Sequence, residues 1–152
     1  MPTLDRDTIQ AWIEQLQHEA YVCPDCEGIH LHGWEAKEAV LEARCFVEKD
    51  RVSLLVEIAI RPSAVLPLQG AVHFMNYDYS LLKVMIAMAD HDVPRLLLTH
   101  ALPIAHLSEP MFQDWLKQLL SEMDAVYKHL TDMEVLLLED DDYFTDFDDQ
   151  LH

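Results

Sequence analysis

Two neighbouring stretches of the chain alternate between apolar and polar residues with a period of two, and only a dipeptide separates them. The apolar positions of residues 39–48 are Leu41, Ala43, Cys45 and Val47. Those of residues 51–60 are Val52, Leu54, Val56, Ile58 and Ile60. This period is typical of strands that pack one face and leave the other partly solvated. Because Lys49-Asp50 fits a two-residue turn, the pair predicts an antiparallel hairpin.

The N-terminal part of the chain predicts a helix followed by two short strands. Residues 5–20 have the pattern of an amphipathic helix, with Asp7 as its N-cap and Gln10 in a capping-box position. The apolar stripe of this helix is Ile9, Trp12, Ile13 and Leu16. Residues 21–32 contain a turn with a short strand on each side.

The second half of the chain alternates helix and strand signals. The octapeptide Arg61–Leu68 ends a strand and starts a helix. Strands are predicted at 79–89 and 95–101, and Ser108 caps a helix that runs to about residue 130. The order α-β-β-β-α-β-β-α, with short turns between successive strands, predicts an α+β fold with an antiparallel sheet of about five strands and helices packed on it. Residues 1–138 are expected to form a single domain.

The charge of the chain restricts its partners. The sequence has 28 acidic and 10 basic residues, a formal net charge of −18. Such a field repels phosphates, which argues against nucleic acid and anionic membranes as partners and favours basic proteins. No apolar run approaches the roughly 20 residues of a membrane span. The acidic, polar N-terminus does not fit a signal peptide, so a cytoplasmic location is expected.

The last residues, 139–152, form a separate acidic tail with seven acids and no base. Four interpretations stay open for it: a solvated extension, a cation-binding segment, a mimic of nucleic-acid phosphates, and a segment that occupies a basic cleft.

The octapeptide Arg61–Leu68, at the end of a hydrophobic strand, resembles a segment of the YbjN family of bacterial sensory transduction regulators. The supporting segments are Cys23–Cys26 followed by Ile29–His32, the helix around Trp12, and Asp90–Leu96. The aspartate-rich tail departs from the family pattern.

The resemblance implies a bacterial, cytoplasmic regulator, linked to motility, exopolysaccharide and stress responses, with no assigned enzymatic reaction. It also implies a fold similar to that of type III secretion chaperones, which are small acidic α+β proteins that often dimerise and bind extended protein segments. Our first functional prediction is therefore a non-enzymatic regulator that binds a basic or amphipathic protein client and can form a homodimer.

Four side chains around one turn have the chemistry of metal ligands. Cys23 and Cys26 flank the turn at Pro24, and His30 and His32 would point to one face of a strand. Two thiolates and two imidazoles can hold zinc tetrahedrally. A redox-active dithiol and a purely structural hairpin are the alternatives. A zinc-binding or small-molecule sensor is therefore the second functional prediction.

The sequence offers no complete catalytic pattern. Cys45 alternates onto the apolar face of its strand, which suits a buried, unreactive thiol. Cys26 and His30 could pair as nucleophile and base, but the sequence identifies no orienting acid or oxyanion hole. Arg61 could bind a carboxylate or phosphate, although the Pro and Ser after it favour a structural corner. The chain is therefore predicted not to be an enzyme.

A partner-binding surface is expected on the sheet and the last helix. The positions predicted to contact a protein partner are Trp115 of that helix and Leu55 and Ala59 of the second long strand. The third functional prediction is an acidic nucleic-acid mimic that acts through the tail, residues 139–152.

Overall fold

The computed structural model describes residues 4–89 and 92–138. The strands are β1 (Ala20–Val22), β2 (Ile29–Leu31), β3 (Val40–Val47), β4 (Arg51–Ala59), β5 (Lys83–Ala87) and β6 (Arg95–Pro103). The helices are α1 (Arg6–Gln15), α2 (His32–Glu35), α3 (Val65–Asp78) and α4 (Glu109–Asp132). All strands pair antiparallel in the order β1-β2-β3-β4-β6-β5. The predicted α+β class and antiparallel sheet are confirmed. The sheet has six strands instead of about five, because the predicted order counts the two short strands on either side of the first turn as one strand, whereas β1 and β2 pair as two.

β3 and β4 form the predicted hairpin at the centre of the sheet. The Glu48 N–H donates to the Arg51 carbonyl at 2.8 Å and closes the two-residue turn. The inward side chains are fully buried: Ala43, Cys45, Val52, Leu54, Val56 and Ile58. Leu41 departs from the predicted alternation and is 40% exposed, because a β-bulge between Val40 and Glu42 shifts the register there.

Helices α1 and α4 pack on one face of this sheet. α1 buries Ile9 and Ile13. The stripe that α4 buries is Phe112, Trp115, Leu116, Leu119, Leu120, Met123, Val126 and Leu130. Ser108 caps α4 as predicted, since its hydroxyl accepts from the Met111 N–H at 3.3 Å.

The predicted cap of α1 is wrong. Asp5, rather than Asp7, accepts from the Thr8 N–H at 2.8 Å, so Asp7 falls inside the first turn, where a carboxylate is stabilised by the helix dipole. The helix also ends at Gln15 instead of near residue 20. Its end is set by Gln17, which takes a left-handed backbone with φ of 69°.

Side chains form hydrogen bonds with backbone groups just before β5 and within it. The Glu122 carboxylate accepts from the N–H groups of Leu81 and Leu82 at 3.0 and 3.1 Å, so the strand begins later than predicted. Asn76 of α3 accepts from the Val84 N–H at 2.9 Å and donates to the Val84 carbonyl at 2.8 Å. α3 is thereby tied to the free edge of the sheet.

The corner after β4 ends a strand and starts a helix, as predicted. Ile60 bridges to Leu136, and the Arg61 N–H donates to the Val135 carbonyl at 2.9 Å. A single 3-10 turn at Pro62–Ala64 then leads into α3. In the part of the chain that the structure describes, no helix is both long and apolar enough to span a bilayer.

Candidate metal centre

The turn between β1 and β2 places two thiols over the sheet. Cys23 directly follows β1, and Cys26 lies within the turn. Gly28 lets this turn lie close to β3, because a Cβ at this position would come within 3.0 Å of the Phe46 ring and 3.2 Å of the Arg44 Cβ. A larger residue would therefore push the turn away from the sheet.

The ligand atoms of Cys23, Cys26 and His30 all lie within 4.8 Å of one another. The two Sγ atoms are 3.1 Å apart, and Nε2 of His30 lies 3.2 Å from Cys26 Sγ and 3.3 Å from Cys23 Sγ. Two sulfur atoms and one imidazole nitrogen form a ligand set that zinc favours. The structure thus brings together three of the four predicted ligands.

His32 does not join this group. β2 ends at Leu31 and His32 begins α2, so the strand alternation that would place it beside His30 stops one residue early. The His32 side chain is 59% exposed, and its Nε2 lies 3.9 Å from a Glu19 carboxylate oxygen. The prediction of His32 as the fourth ligand is therefore wrong for this geometry.

The short helix α2 supplies a carboxylate behind His30 instead. Oε2 of Glu35 lies 2.8 Å from Nδ1 of His30, and Oε1 accepts from the Tyr21 hydroxyl at 2.5 Å. The Tyr21 ring stacks on the imidazole with a centroid distance of 4.6 Å. A carboxylate on one imidazole nitrogen fixes the ring and leaves the other nitrogen to face a metal. Sequence reasoning misses Glu35 because a four-residue helix has no periodic signal.

Hydrogen bonds within this cluster shift the pKa values of its titratable groups. The hydrogen bond with Cys23 is the main cause that lowers the pKa of Cys26 to about 7. Burial alone would lower the pKa of His30, but hydrogen bonds with Glu35 and both thiols outweigh burial and raise it to about 9. Burial opposes the charge of Glu35 as well, yet hydrogen bonds from His30 and Tyr21 hold its pKa below the usual range. The thiolate form, which binds metals, is therefore accessible at neutral pH.

A metal ion would require only a small change in the positions of these ligand atoms. Tetrahedral zinc, with bonds of about 2.0 to 2.3 Å, requires distances of about 3.5 to 3.8 Å between ligand atoms, so the triangle would widen by about half an ångström. His30 would lose its Nε2 proton while Glu35 retains the contact at Nδ1. The described residues would supply three ligands, which would leave a fourth position for water or another ligand.

Cys45 lies apart from this centre. It is 0% exposed in the core, and burial raises the pKa of its thiol to about 12. In the sheet register it lies opposite Ile29, so its side chain is on the other face from His30. The prediction of a buried thiol is confirmed.

The three residues predicted to contact a partner lie in different environments. Trp115 is 6% exposed, and its indole N–H donates to Nδ1 of His100 at 2.9 Å, so it belongs to the core. Ala59 is 3% exposed, where the Leu137 N–H donates to its carbonyl at 3.0 Å. Leu55 is half-buried on the sheet face opposite the fully buried core. The expected surface position is therefore wrong for Trp115 and Ala59.

The candidate metal centre and Leu55 share one face of the sheet. Residues directly opposite one another on this face form a row across all six strands: Tyr21, His30, Arg44, Leu55, Thr99 and Lys83. Arg44 pairs with Glu42, and its guanidinium carbon lies 5.0 Å from the Phe46 ring centre. The row connects the candidate metal centre with the opposite edge of the sheet.

The acidic tail, residues 139–152, lies outside the described residues, and so do Asp90 and His91 of the family-like segment. The nucleic-acid mimic therefore stays a prediction.

Comparison with known proteins places this architecture in a family. A family model named YbjN, described as "Putative bacterial sensory transduction regulator", matches residues 5–132. Proteins named "Uncharacterized protein YbjN" from Escherichia coli K12 and Shigella flexneri are each 23% identical to this chain over 137 residues. The match covers 90% of this chain and 87% of each relative.

Solved structures share the fold. The crystal structure of YbjN from E. coli, described as "a putative transcription regulator", has a TM-score of 0.83 at 22% identity and covers 91% of this chain and 99% of its own. An uncharacterised protein from Methanothermobacter thermautotrophicus has a TM-score of 0.55 at 12% identity, with coverage of 86% and 99%. Because the family model extends over every element from α1 to α4, the chain belongs to the YbjN family.

Proposed function

We propose that this chain is a non-enzymatic cytoplasmic regulator whose signal is zinc, bound by Cys23, Cys26 and His30. The observation that carries the proposal is the convergence of the three ligand atoms within 4.8 Å, with Glu35 on the far nitrogen of His30. The description of the family supports a regulatory role and does not specify a signal.

The ligand chemistry favours zinc over the hard cations. Magnesium and calcium prefer oxygen ligands, whereas two thiolates and an imidazole suit a softer ion. The same two thiols, 3.1 Å apart, can also close a disulfide when an oxidant such as a peroxide removes two electrons. Metal binding and the disulfide exclude each other, so the metal must be measured on the reduced protein.

Zinc binding would alter the sheet face as well as the turn. The ion would displace the Nε2 proton of His30 and the protons of the thiols, so the net charge beside Arg44 would change little, whereas the turn that carries Cys26 would be held in place. Leu55 is the next residue along the same row, so a partner on this face would meet a more ordered surface. This difference is the output that we assign to the sensor.

The experiment is metal analysis of reduced protein that has been purified without a nickel column and equilibrated with zinc. One zinc per chain is expected for the wild type and for the matched controls Cys45→Ala and His32→Gln. Cys26→Ser and His30→Gln should lose the ion while retaining their circular dichroism spectra. The proposal is overturned if the wild type retains well under one equivalent after gel filtration, or if Cys26→Ser retains as much zinc as Cys45→Ala.

A second candidate function is the binding of a protein client on the same sheet face. Apolar side chains face outward there and none is fully buried; they are Phe46, Leu55, Met85 and Leu97. The chaperone resemblance and the charge of −18 favour a basic, amphipathic segment as the client.

The client hypothesis is tested with basic amphipathic peptides and fluorescence anisotropy at moderate salt. Leu55→Glu should weaken binding, whereas Met111→Glu, which changes a 56% exposed residue of α4, should leave it unchanged. Equal affinities for the two variants would exclude the sheet face as the binding surface.

A further inference from the structure

Cys26, His30 and Glu35 are arranged as a nucleophile, a base and an acid that orients the base. Nε2 of His30 lies 3.2 Å from Sγ of Cys26, and Nδ1 of the same ring lies 2.8 Å from Oε2 of Glu35. Sequence reasoning identifies the first two groups but no orienting acid, which helix α2 supplies. In such a series the base takes the proton of the thiol, and the carboxylate fixes which ring nitrogen does so. The thiol of Cys26 is therefore activated for attack on an electrophile.

The thiol of Cys23 determines which kind of reaction this arrangement suits. Its sulfur lies 3.1 Å from that of Cys26, so it can attack an oxidised form of Cys26 before a second oxidant molecule arrives. Nε2 of His30 lies 3.3 Å from Sγ of Cys23, so one imidazole can serve both sulfur atoms in turn. A second thiol beside the attacking thiol is typical of cysteines that respond to oxidants. These groups therefore favour oxidation over acyl transfer.

Arg44 identifies Cys26 as the sulfur that reacts first. It lies directly opposite His30 on β3, and its side chain runs beside the turn, since its Cβ and Cδ would each lie 3.2 Å from a Cβ at Gly28. The hydrogen bond with Cys23 is the main interaction that favours the thiolate form of Cys26, and the side chain of Arg44 adds to it. The thiolate is the form that attacks an oxidant. We therefore expect Cys26 to attack and Cys23 to close the disulfide.

The charge of the chain and the position of the thiols restrict the oxidant. The formal net charge is −18, so an anionic oxidant such as glutathione disulfide is repelled. Cys23 and Cys26 are both half-buried, which favours a small molecule over a bulky one. Hydrogen peroxide is small and carries no charge at neutral pH. A neutral peroxide therefore fits this site better than a charged disulfide.

We propose that Cys26 and Cys23 are an oxidation site for hydrogen peroxide, in which Cys26 attacks the peroxide and Cys23 then closes a disulfide that releases zinc. The release of zinc rests on the proposed function, whereas the oxidation does not. Once the disulfide has formed, neither sulfur is a thiolate, and His30 alone of the three ligands is left to hold the ion. The oxidant thus switches the zinc sensor off.

The oxidation proceeds in two balanced steps. Nε2 of His30 takes the proton of the Cys26 thiol, and the thiolate attacks one oxygen of the peroxide. An S–O bond forms, the O–O bond breaks, and the leaving hydroxide takes the proton from His30 and becomes water. Cys23 then attacks the sulfur of the resulting sulfenic acid, and its proton passes through the same nitrogen to the second leaving hydroxide. In total two thiols lose two electrons and two protons, and one peroxide becomes two water molecules.

The test treats reduced, zinc-free protein with hydrogen peroxide and follows the three cysteines by peptide mass spectrometry. The wild type should form a Cys23–Cys26 disulfide that a dithiol reverses, whereas Cys45, which is 0% exposed, should stay reduced. Cys23→Ser should accumulate a sulfenic acid on Cys26 that dimedone traps. Cys26→Ser should form the sulfenic acid of Cys23 about tenfold more slowly, because Cys26 is the thiolate that Arg44 favours. No disulfide in the wild type, or equal trapping rates in the two variants, would overturn the proposal.

A pair of histidine variants tests the base. His30→Gln should slow disulfide formation in the zinc-free protein by about tenfold or more, since proton transfer by a positioned side chain contributes at least that much. His32→Gln is the matched control, because it removes an imidazole that is 59% exposed and only two residues away, and it should react like the wild type. Circular dichroism verifies that both variants are folded. Equal rates for the two variants would contradict the role of His30.

The oxidant and the release of zinc are measured separately. Glutathione disulfide should react more slowly than hydrogen peroxide at the same concentration, and added salt should speed the reaction with glutathione disulfide alone, because salt screens charge repulsion. Equal rates for the two oxidants at low salt would contradict the choice of a neutral peroxide. On zinc-loaded protein, a chromophoric indicator should detect one zinc for each disulfide formed. Zinc that stays bound after the disulfide has formed would overturn the release. A wild type that binds no zinc and still forms the disulfide would overturn the proposed function and leave the oxidation site intact.

Discussion

Nδ1 of His30 lies 2.8 Å from Oε2 of Glu35, which leaves Nε2 of His30 facing the two thiols. Replacing Glu35 with Gln keeps the size of the side chain but removes the charge that orients and polarises the imidazole. Zinc affinity should fall by about 10- to 100-fold, measured by competition with a chromophoric chelator. Glu19→Gln is the control, because Glu19 is 82% exposed and neighbours His32, outside the centre. Equal affinities for the two variants would remove Glu35 from the site.

The three cysteines should differ in reactivity toward a thiol-alkylating reagent. Cys45 is 0% exposed with its pKa raised to about 12 by burial, so it should stay unmodified in the native protein up to about pH 9. Cys23 and Cys26 should react without zinc and be protected by it. Peptide mass spectrometry distinguishes the three sites. Rapid labelling of Cys45 under native conditions would contradict its place in the core.

His100 should make stability depend on pH. Burial, with a smaller contribution from Lys83, holds the pKa of His100 below its ordinary value of about 6.5, although Glu122 opposes the shift. The native state then binds this proton less readily than the unfolded state. The free energy of unfolding should therefore fall as the pH drops from about 6.5 toward the lowered pKa.

The His100→Gln variant isolates this effect. A Gln oxygen can still accept from the Trp115 indole N–H but does not titrate in this range. Urea unfolding at pH 7 and pH 5 should show a larger loss of stability for the wild type than for the variant. Equal losses would mean that other groups carry the pH dependence.

Gln17 is expected to be a site where glycine stabilises the fold. A φ of 69° destabilises the folded state by about 1 to 2 kcal/mol for a residue other than glycine. Glycine removes this strain, but its greater freedom in the unfolded chain offsets about half of the gain in stability. Gln17→Gly should therefore stabilise the protein by about 0.5 to 1 kcal/mol in urea unfolding. Glu14→Gly, inside α1, should destabilise it by about 1 kcal/mol. Two losses of equal size would show that Gln17 does not need a left-handed backbone.

Sequence patterns predict best where one physical requirement dominates. The alternation in β3 and β4 follows from burial on one face, and the inward residues of β4 are buried as predicted: Val52, Leu54, Val56 and Ile58. Leu41 breaks the pattern because a bulge depends on strand pairing, which periodicity does not encode. The burial of Trp115 likewise depends on a contact between distant parts of the chain, because its indole N–H donates to His100 of β6.

The sequence predicts the two sulfur atoms of the candidate metal centre but does not predict all of the side chains that the structure brings together there. Cys23, Cys26 and His30 are close in sequence, so their spacing alone predicts that they can meet. His32 lies away from the two thiols because helix α2 begins directly after β2. The same helix brings Glu35 next to His30. A change of backbone type over a single residue thus exchanges one expected group for another.

Asn76 occupies the place beside Val84 where a further strand would pair. An open strand edge is a template for uncontrolled growth into fibres, especially at the high concentrations found in cells. By mimicking a neighbouring backbone, one amide side chain protects this end of the sheet from aggregation.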